Sequence, residues 1–266
     1  MFPRLFLLLA LVFSTPILAQ DNPFKGHPLR AVRPDEPLPF QEPDLDIKKA
    51  NELDALMQSR DWSGLRAAVR NFKDLKDVES GLNWLKVRTD TGAPFIIPMI
   101  YSETLWMIGS AGKNEGLEIS AAFMALYTIA VIRMDGMACA DTTAPGHRMD
   151  QVVSSLREPL RYLAAVKSEE KKFGVKTVVQ LEAFTAERRK AEDEIVCSGG
   201  LDQLKAGMDA NILGQPKTVP GQIGRVIDVG TPTGWKPSFL PASTYRANQA
   251  KFRGADLYDY LWALVK

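Results

Sequence analysis

Residues 119–132 run from Ile119 to Ile132 with hardly a strongly polar side chain. Ala121, Ala122, Phe123, Met124, Ala125, Leu126, Tyr127, Ile129, Ala130, Val131 and Ile132 leave no solvated face. A helix apolar all round must be surrounded by other helices or by lipid. This run is shorter than the roughly 20 apolar residues that span a bilayer, and it then meets Arg133 and Asp135. The stretch 116–139 is therefore expected to be the buried central helix of an all-α protein. Its alanines let neighbouring helices approach near the short end of the usual packing distance, about 8–10 Å.

The chain opens on Met1, Phe2, Pro3 and Arg4, continues apolar over 5–13, and reaches Ala19 before Gln20. A positive end, a short apolar region and a small residue at the cut make up a secretory signal peptide. The expected domain order begins with that leader over 1–19, followed by a proline-rich extended arm over 20–45 that carries His27. Removing the leader takes away one base and no acid, leaving 32 basic and 32 acidic side chains. A neutral surface argues against a nucleic-acid partner, whose phosphates call for clustered Lys and Arg. The basic run 188–190 is followed at once by Glu192, Asp193 and Glu194 and reads as the solvated face of a helix. Cys139 and Cys197 are the chain's two cysteines, and in the oxidising compartment an exported protein meets, such a pair is expected to close into a disulfide. With His27 and His147 as the sole histidines, no metal site is expected.

A helical domain is expected over 46–210. Ile47, Ala50, Leu53, Leu56 and Met57 recur at spacings of three and four. Asp61 suits the N-cap of a second helix, 74–88 reads as a third, and Pro98 fits the first turn of a fourth. Beyond the central helix, Pro159 should kink or split the helix that carries Val152 to Val166. A long helix over 171–196 is expected to end at Cys197, and a short one over 201–208 closes the domain. Residues 211–254, broken by glycines and prolines, read as an irregular wrapping segment pinned by Trp235, Phe239 and Tyr245. Within it 225–229 is a lone strand without an evident partner. A C-terminal helix is expected within 255–266, with Leu257, Leu261 and Trp262 on one face.

The chemistry is sparse: no Gly-x-Ser-x-Gly, His-Glu-x-x-His, Cys-x-x-Cys or calcium-loop pattern occurs. Two weak catalytic candidates stand out. Glu103 and Thr104, followed by Ser110, Gly112, Gly116 and Leu117, are similar in outline to the motif of lytic transglycosylases, which cleave peptidoglycan with one helical glutamate as general acid and base. The resemblance covers 103–119 and departs in spacing: no serine follows the glutamate directly, and Glu118-Ile119 stands where that family has Met-Gln. It implies that Glu103 lies in a polar cleft with a raised pKa. His147, near Asp141, Thr142, Thr143 and Asp150, has the residue types for proton exchange near neutral pH, although Thr142 or Thr143 capping a helix opened by Pro145 accounts for the same residues.

The expected protein is thus an all-α exported domain of seven to nine helices, packed in antiparallel pairs around the central one and stapled by Cys139–Cys197. Its expected function is a non-enzymatic binding, scaffold or accessory role in the periplasm or outside the cell, needing no cofactor. It would engage a protein partner through an exposed apolar patch lined by residues such as Trp62, Trp235 or Trp262. The alternatives are a peptidoglycan-cleaving enzyme using Glu103 and a binder of a small apolar ligand between helices.

Overall fold

The computed structural model describes residues 46–189, 192–219 and 225–266. The expected leader, the proline-rich arm and His27 lie outside them. Among the described residues there are eleven α-helices and no strand longer than an isolated bridge. They are α1 (Ile47–Gln58), α2 (Trp62–Arg70), α3 (Leu75–Asp90), α4 (Ile96–Gly112), α5 (Glu115–Asp135), α6 (Thr143–Ser155), α7 (Arg157–Ala165), α8 (Ser168–Ala186), α9 (Leu201–Asp209), α10 (Ala242–Ala255) and α11 (Leu257–Val265). The starts of the first three follow from local chemistry. Asp46, Asp61 and Asp74 each turn a side-chain oxygen onto a backbone amide three residues on, satisfying a donor the helix cannot.

The central helix is α5, and both halves of the protein are built on it. Leu117 and Ala121, at its start, belong to one core with Leu53 of α1, Leu65 of α2, Trp84 and Leu85 of α3 and Ile100 of α4. Residues from Ala122 to Met134 belong to a second core with α6, α7, α8 and α11. The two-residue turn between α4 and α5 makes them an antiparallel pair. Lys113 takes the left-handed conformation there, at φ 49°, and the Asn114 side chain caps α5 by accepting from the Leu117 amide at 3.1 Å. Small residues then bring the helices close. Ser102 donates across the pair to the Ala121 carbonyl at 2.8 Å, and Gly174 of α8 leaves the space that the Phe123 ring of α5 fills. The segment Glu115–Ala138 has the length and composition of a membrane span, more than the apolar run alone suggests. Its surroundings are protein, however, with 78% of that apolar window buried.

The disulfide joins Cys139, just beyond a 3-10 turn at Gly136–Ala138, to Cys197, with Cα atoms 5.2 Å apart. The tail crosses it: Leu240 donates to the Ala138 carbonyl at 2.8 Å, and Ala140 to the Ser238 carbonyl at 3.0 Å. Phe239 packs on the second core and Tyr245 is buried, as expected of a pinned tail, whereas Trp235 is only half-buried.

One expectation is refined and three are corrected. Pro159 does split its helix, but at Leu156, so that the proline sits in the first turn of α7 where its missing amide costs nothing. The long helix stops at Ala186 rather than Val196, because Arg189 is drawn inward to buried acids and Cys197 is tied to Cys139. The irregular segment is shorter than 211–254, since α10 occupies Ala242–Ala255. Its inward stripe is only Tyr245, Gln249 and half-buried Phe252, too sparse and polar to read as amphipathic. The strand candidate does have a partner. Val226 exchanges both backbone bonds with Lys217 at 2.9 Å, and Gly214 donates to Asp228 at 2.7 Å, so 212–217 and 225–230 form two paired antiparallel arms.

Candidate functional site

The first catalytic candidate is ion-paired to two bases. Glu103, on α4, accepts from Arg66 Nε at 2.8 Å and Arg70 Nη2 at 2.5 Å, both on α2. A general acid needs the opposite surroundings, an apolar pocket or a second carboxylate that disfavours the charge. Here two guanidinium groups share one oxygen, and the bond ties α2 to α4.

His147 stands exposed in the second turn of α6, with Nε2 2.9 Å from the Gln151 amide. The polar residues before it cap two helices, α6 through Asp141 and α9 from a distance. Thr142 makes no capping bond to α6. Asp141 Oδ1 accepts from the Thr143 amide at 2.9 Å and its Oδ2 from the Asp202 amide at 2.9 Å, while Thr143 Oγ1 accepts from the Leu201 amide at 2.9 Å. The loop therefore also caps α9, a helix 58 residues further along. Burial is the largest single influence and pushes the Asp141 carboxyl up, but the hydrogen bonds from Thr143, Asp202 and Ala144 together outweigh it and hold it below the ordinary range.

The three tryptophans are not gathered into one surface. Trp62 packs on the first core and Trp262 on the second, each half-buried, and Trp235 lies on the tail. Trp62 and His147 do share the walls of an open groove between α2 and α6, with Phe95, Ile96 and Met99 beneath. Its volume is about 840 Å³.

Sequence reasoning missed two features. The first is a buried charge cluster. Arg189, read as a solvated helical base, has a side chain only 3% exposed. It donates to Asp135 at 3.0 Å, to Glu182 at 2.6 Å and to Thr185 Oγ1 at 2.6 Å. Glu182, fully buried on α8, accepts in turn from Arg253 of α10 at 2.6 Å. Thr185 is also hydrogen-bonded to Tyr127 at 2.7 Å. Burial pushes the Asp135 carboxyl up to about 6 despite Arg189, and the Tyr127 hydroxyl up to about 12. Burial opposes the charge on Glu182 too, but two guanidinium groups hold its carboxyl below the usual range. Arg189, with several acceptors, stays well above its ordinary value and is the fixed charge of the cluster. The arrangement locks α10 and the segment after α8 onto the central helix.

The second is an apolar surface. Six of the twelve large apolar side chains exposed among the described residues fall within 201–227: Leu201, Leu204, Met208, Ile212, Leu213 and Ile227. The first three lie at spacings of three and four on α9 and so share one face, with Leu201 60% and Met208 57% exposed. The opposite side of α9 is occupied: Gly207 abuts the Gly230 carbonyl so closely that no Cβ would fit, and Gln203 bonds to Thr231. Two pairs of nearby charges neutralise one another, Lys205 with Asp209 and Lys217 with Asp228, each at 2.6 Å. The stripe was visible in the sequence as a helical period, but periodicity does not say which face of a helix the rest of the chain covers.

Among the described residues no cluster of three or more His, Cys, Asp or Glu side chains has the arrangement to hold a metal ion. No family model, no curated protein and no solved structure matches the chain.

Proposed function

We propose that the protein is a non-enzymatic binding or assembly component of the cell envelope, exported to the periplasm or beyond, that engages a protein partner through the apolar face of α9 and the arms beside it. The observation that carries this reading is the concentration of exposed apolar side chains over 201–227 on an otherwise ordinary surface. Because four of the charges there pair off, Lys205 with Asp209 and Lys217 with Asp228, the partner surface it suits is largely apolar, such as one face of a helix. Export is supported by the Cys139–Cys197 disulfide, a bond that reducing compartments rarely allow to persist. The pairing of Glu103 with two arginines favours binding over glycan cleavage.

The test places a photo-crosslinking residue at position 204, and separately at exposed Arg246 on α10, in protein within its native envelope. The expected result is one discrete adduct with another protein at 204 and none at 246, competed away by added wild type but not by a Leu204→Glu/Met208→Glu variant. Adducts of equal yield at both positions, or adducts only between copies of this chain, would overturn the reading. So would peptidoglycan cleavage by wild type that Glu103→Gln abolishes.

A further inference from the structure

At the end of α5, beside the disulfide, lies a cavity of about 410 Å³, within the range of roughly 300–1,000 Å³ usual for small-ligand pockets. Its walls are apolar where Ile132, Met137, Met149 and Leu240 meet, and polar at Arg133, Thr142, Asn248 and Tyr260. Those four side chains come from α5, the turn before α6, α10 and α11. None of the four side chains makes a hydrogen bond or ion pair with any described residue, so all their donors are turned to solvent or to the cavity.

Arg133 is held in a particular way. Its guanidinium carbon lies 4.9 Å from the centre of the Phe252 ring and 5.6 Å from that of Tyr260, and the two rings pack edge-to-face at 6.0 Å. Two aromatic rings against it hold a guanidinium by cation–π attraction without using its N–H groups, which stay available to grip a carboxylate. An exposed arginine on a long stem ordinarily samples many rotamers; this one is positioned before any ligand arrives, which lowers the entropy cost of binding.

We propose that this cavity binds a small carboxylate with an apolar body, its head on Arg133 and the neighbouring Tyr260, Asn248 and Thr142 donors, its chain on Met137, Met149 and Leu240. A monoanion suits it better than a phosphate monoester, because the cavity offers one cation. A neighbouring pocket that shares Met137 and Asn248 with it adds Lys251 and Asp256, two charges of opposite sign. The site is separate from the α9 face, so either can stand without the other. It also revises the expected apolar ligand between helices into an anionic amphiphile at a helix end.

The experiment titrates wild type with decanoate, decanol and decyl phosphate by calorimetry, beside two variants. Arg133→Gln removes the charge from an exposed side chain. Gly146→Leu adds bulk at a cavity-wall position where a Cβ meets no atom within 4 Å. Decanoate should bind wild type roughly tenfold or more tighter than decanol, as a charge-assisted pair predicts, and tighter than decyl phosphate. Arg133→Gln should bring decanoate down to the decanol level, and Gly146→Leu should weaken both, with thermal unfolding of each variant matching wild type. Equal affinity for decanoate and decanol, no effect of Arg133→Gln, or no decanoate binding to wild type would each overturn the proposal.

Discussion

Replacing Arg189 with Met tests whether the buried cluster holds the C-terminal helices in place. The substitution keeps an apolar stem of similar length but deletes a cation that serves Asp135, Glu182 and Thr185 at once. Glu182 keeps a partner, Arg253 at 2.6 Å, so the cost falls on Asp135, 3% exposed and left with no cation. Removing one member of a buried ion pair costs about 3–5 kcal/mol, a large share of the roughly 5–15 kcal/mol that holds a domain folded. The cost should depend on pH, because Asp135 can escape by taking a proton. Its carboxyl already stands at about 6 in the wild type, and the variant, without the guanidinium, raises it further. At pH 8 the wild type keeps a charged pair that the variant lacks; at pH 5 the carboxyl is neutral in both, and the penalty should shrink by about 1–2 kcal/mol, since each pKa unit is worth about 1.4 kcal/mol. Urea unfolding with the disulfide intact, followed by far-ultraviolet circular dichroism at both pH values, measures the two differences. A loss under about 1 kcal/mol at pH 8, or the same loss at both pH values, would refute the assignment of the cluster as a lock.

The other expectations are simpler. In the wild type, a carboxyl raised from 3.8 to about 6 on folding binds more protons folded than unfolded, so its contribution to stability is full below about pH 4 and is lost by about pH 6, roughly 3 kcal/mol in all. Asp135→Asn should remove that decline from a stability profile, and an unchanged slope would count against it. Reducing the disulfide, or Cys139→Ser with Cys197→Ser, should lower unfolding free energy by about 4 kcal/mol from the chain-entropy term for a sequence separation of 58; matching urea midpoints for oxidised and reduced protein would contradict this. Gly174→Ala should cost roughly 1–3 kcal/mol, because its methyl group would overlap the Phe123 ring. A second change, Phe123→Leu, should restore part of that loss, and a thermal-unfolding cycle of the four proteins reads the coupling.

Much of the fold was legible because its first half is locally determined. Asp46, Asp61 and Asp74 cap helices with carboxylates three residues before the amides they serve, and Lys113 with Asn114 turns the chain between α4 and α5. Such signals act over a few residues, where spacing in sequence is spacing in space. The site was less legible for the same reason reversed. Glu103 looked like an isolated glutamate until folding brought up Arg66 and Arg70 from more than thirty residues away. Asp141 and Thr143 had the chemistry of caps, but besides the Thr143 amide of α6 they cap the Leu201 and Asp202 amides of α9, 58 residues or more further along.

The sequence by itself determined the all-α class, the central helix and the choice of cysteines. A run apolar on every side has to be enclosed, and a chain with two cysteines has one intramolecular pairing. Only the tertiary structure decided that Arg189 is a core residue, that α8 ends early to put it there, and that α9 presents its apolar stripe outward. Periodicity and charge runs are properties of a helix alone. Whether a face is buried, and whether a charge finds its counter-charge, depends on what other segments bring to it, and those segments lie far along the chain.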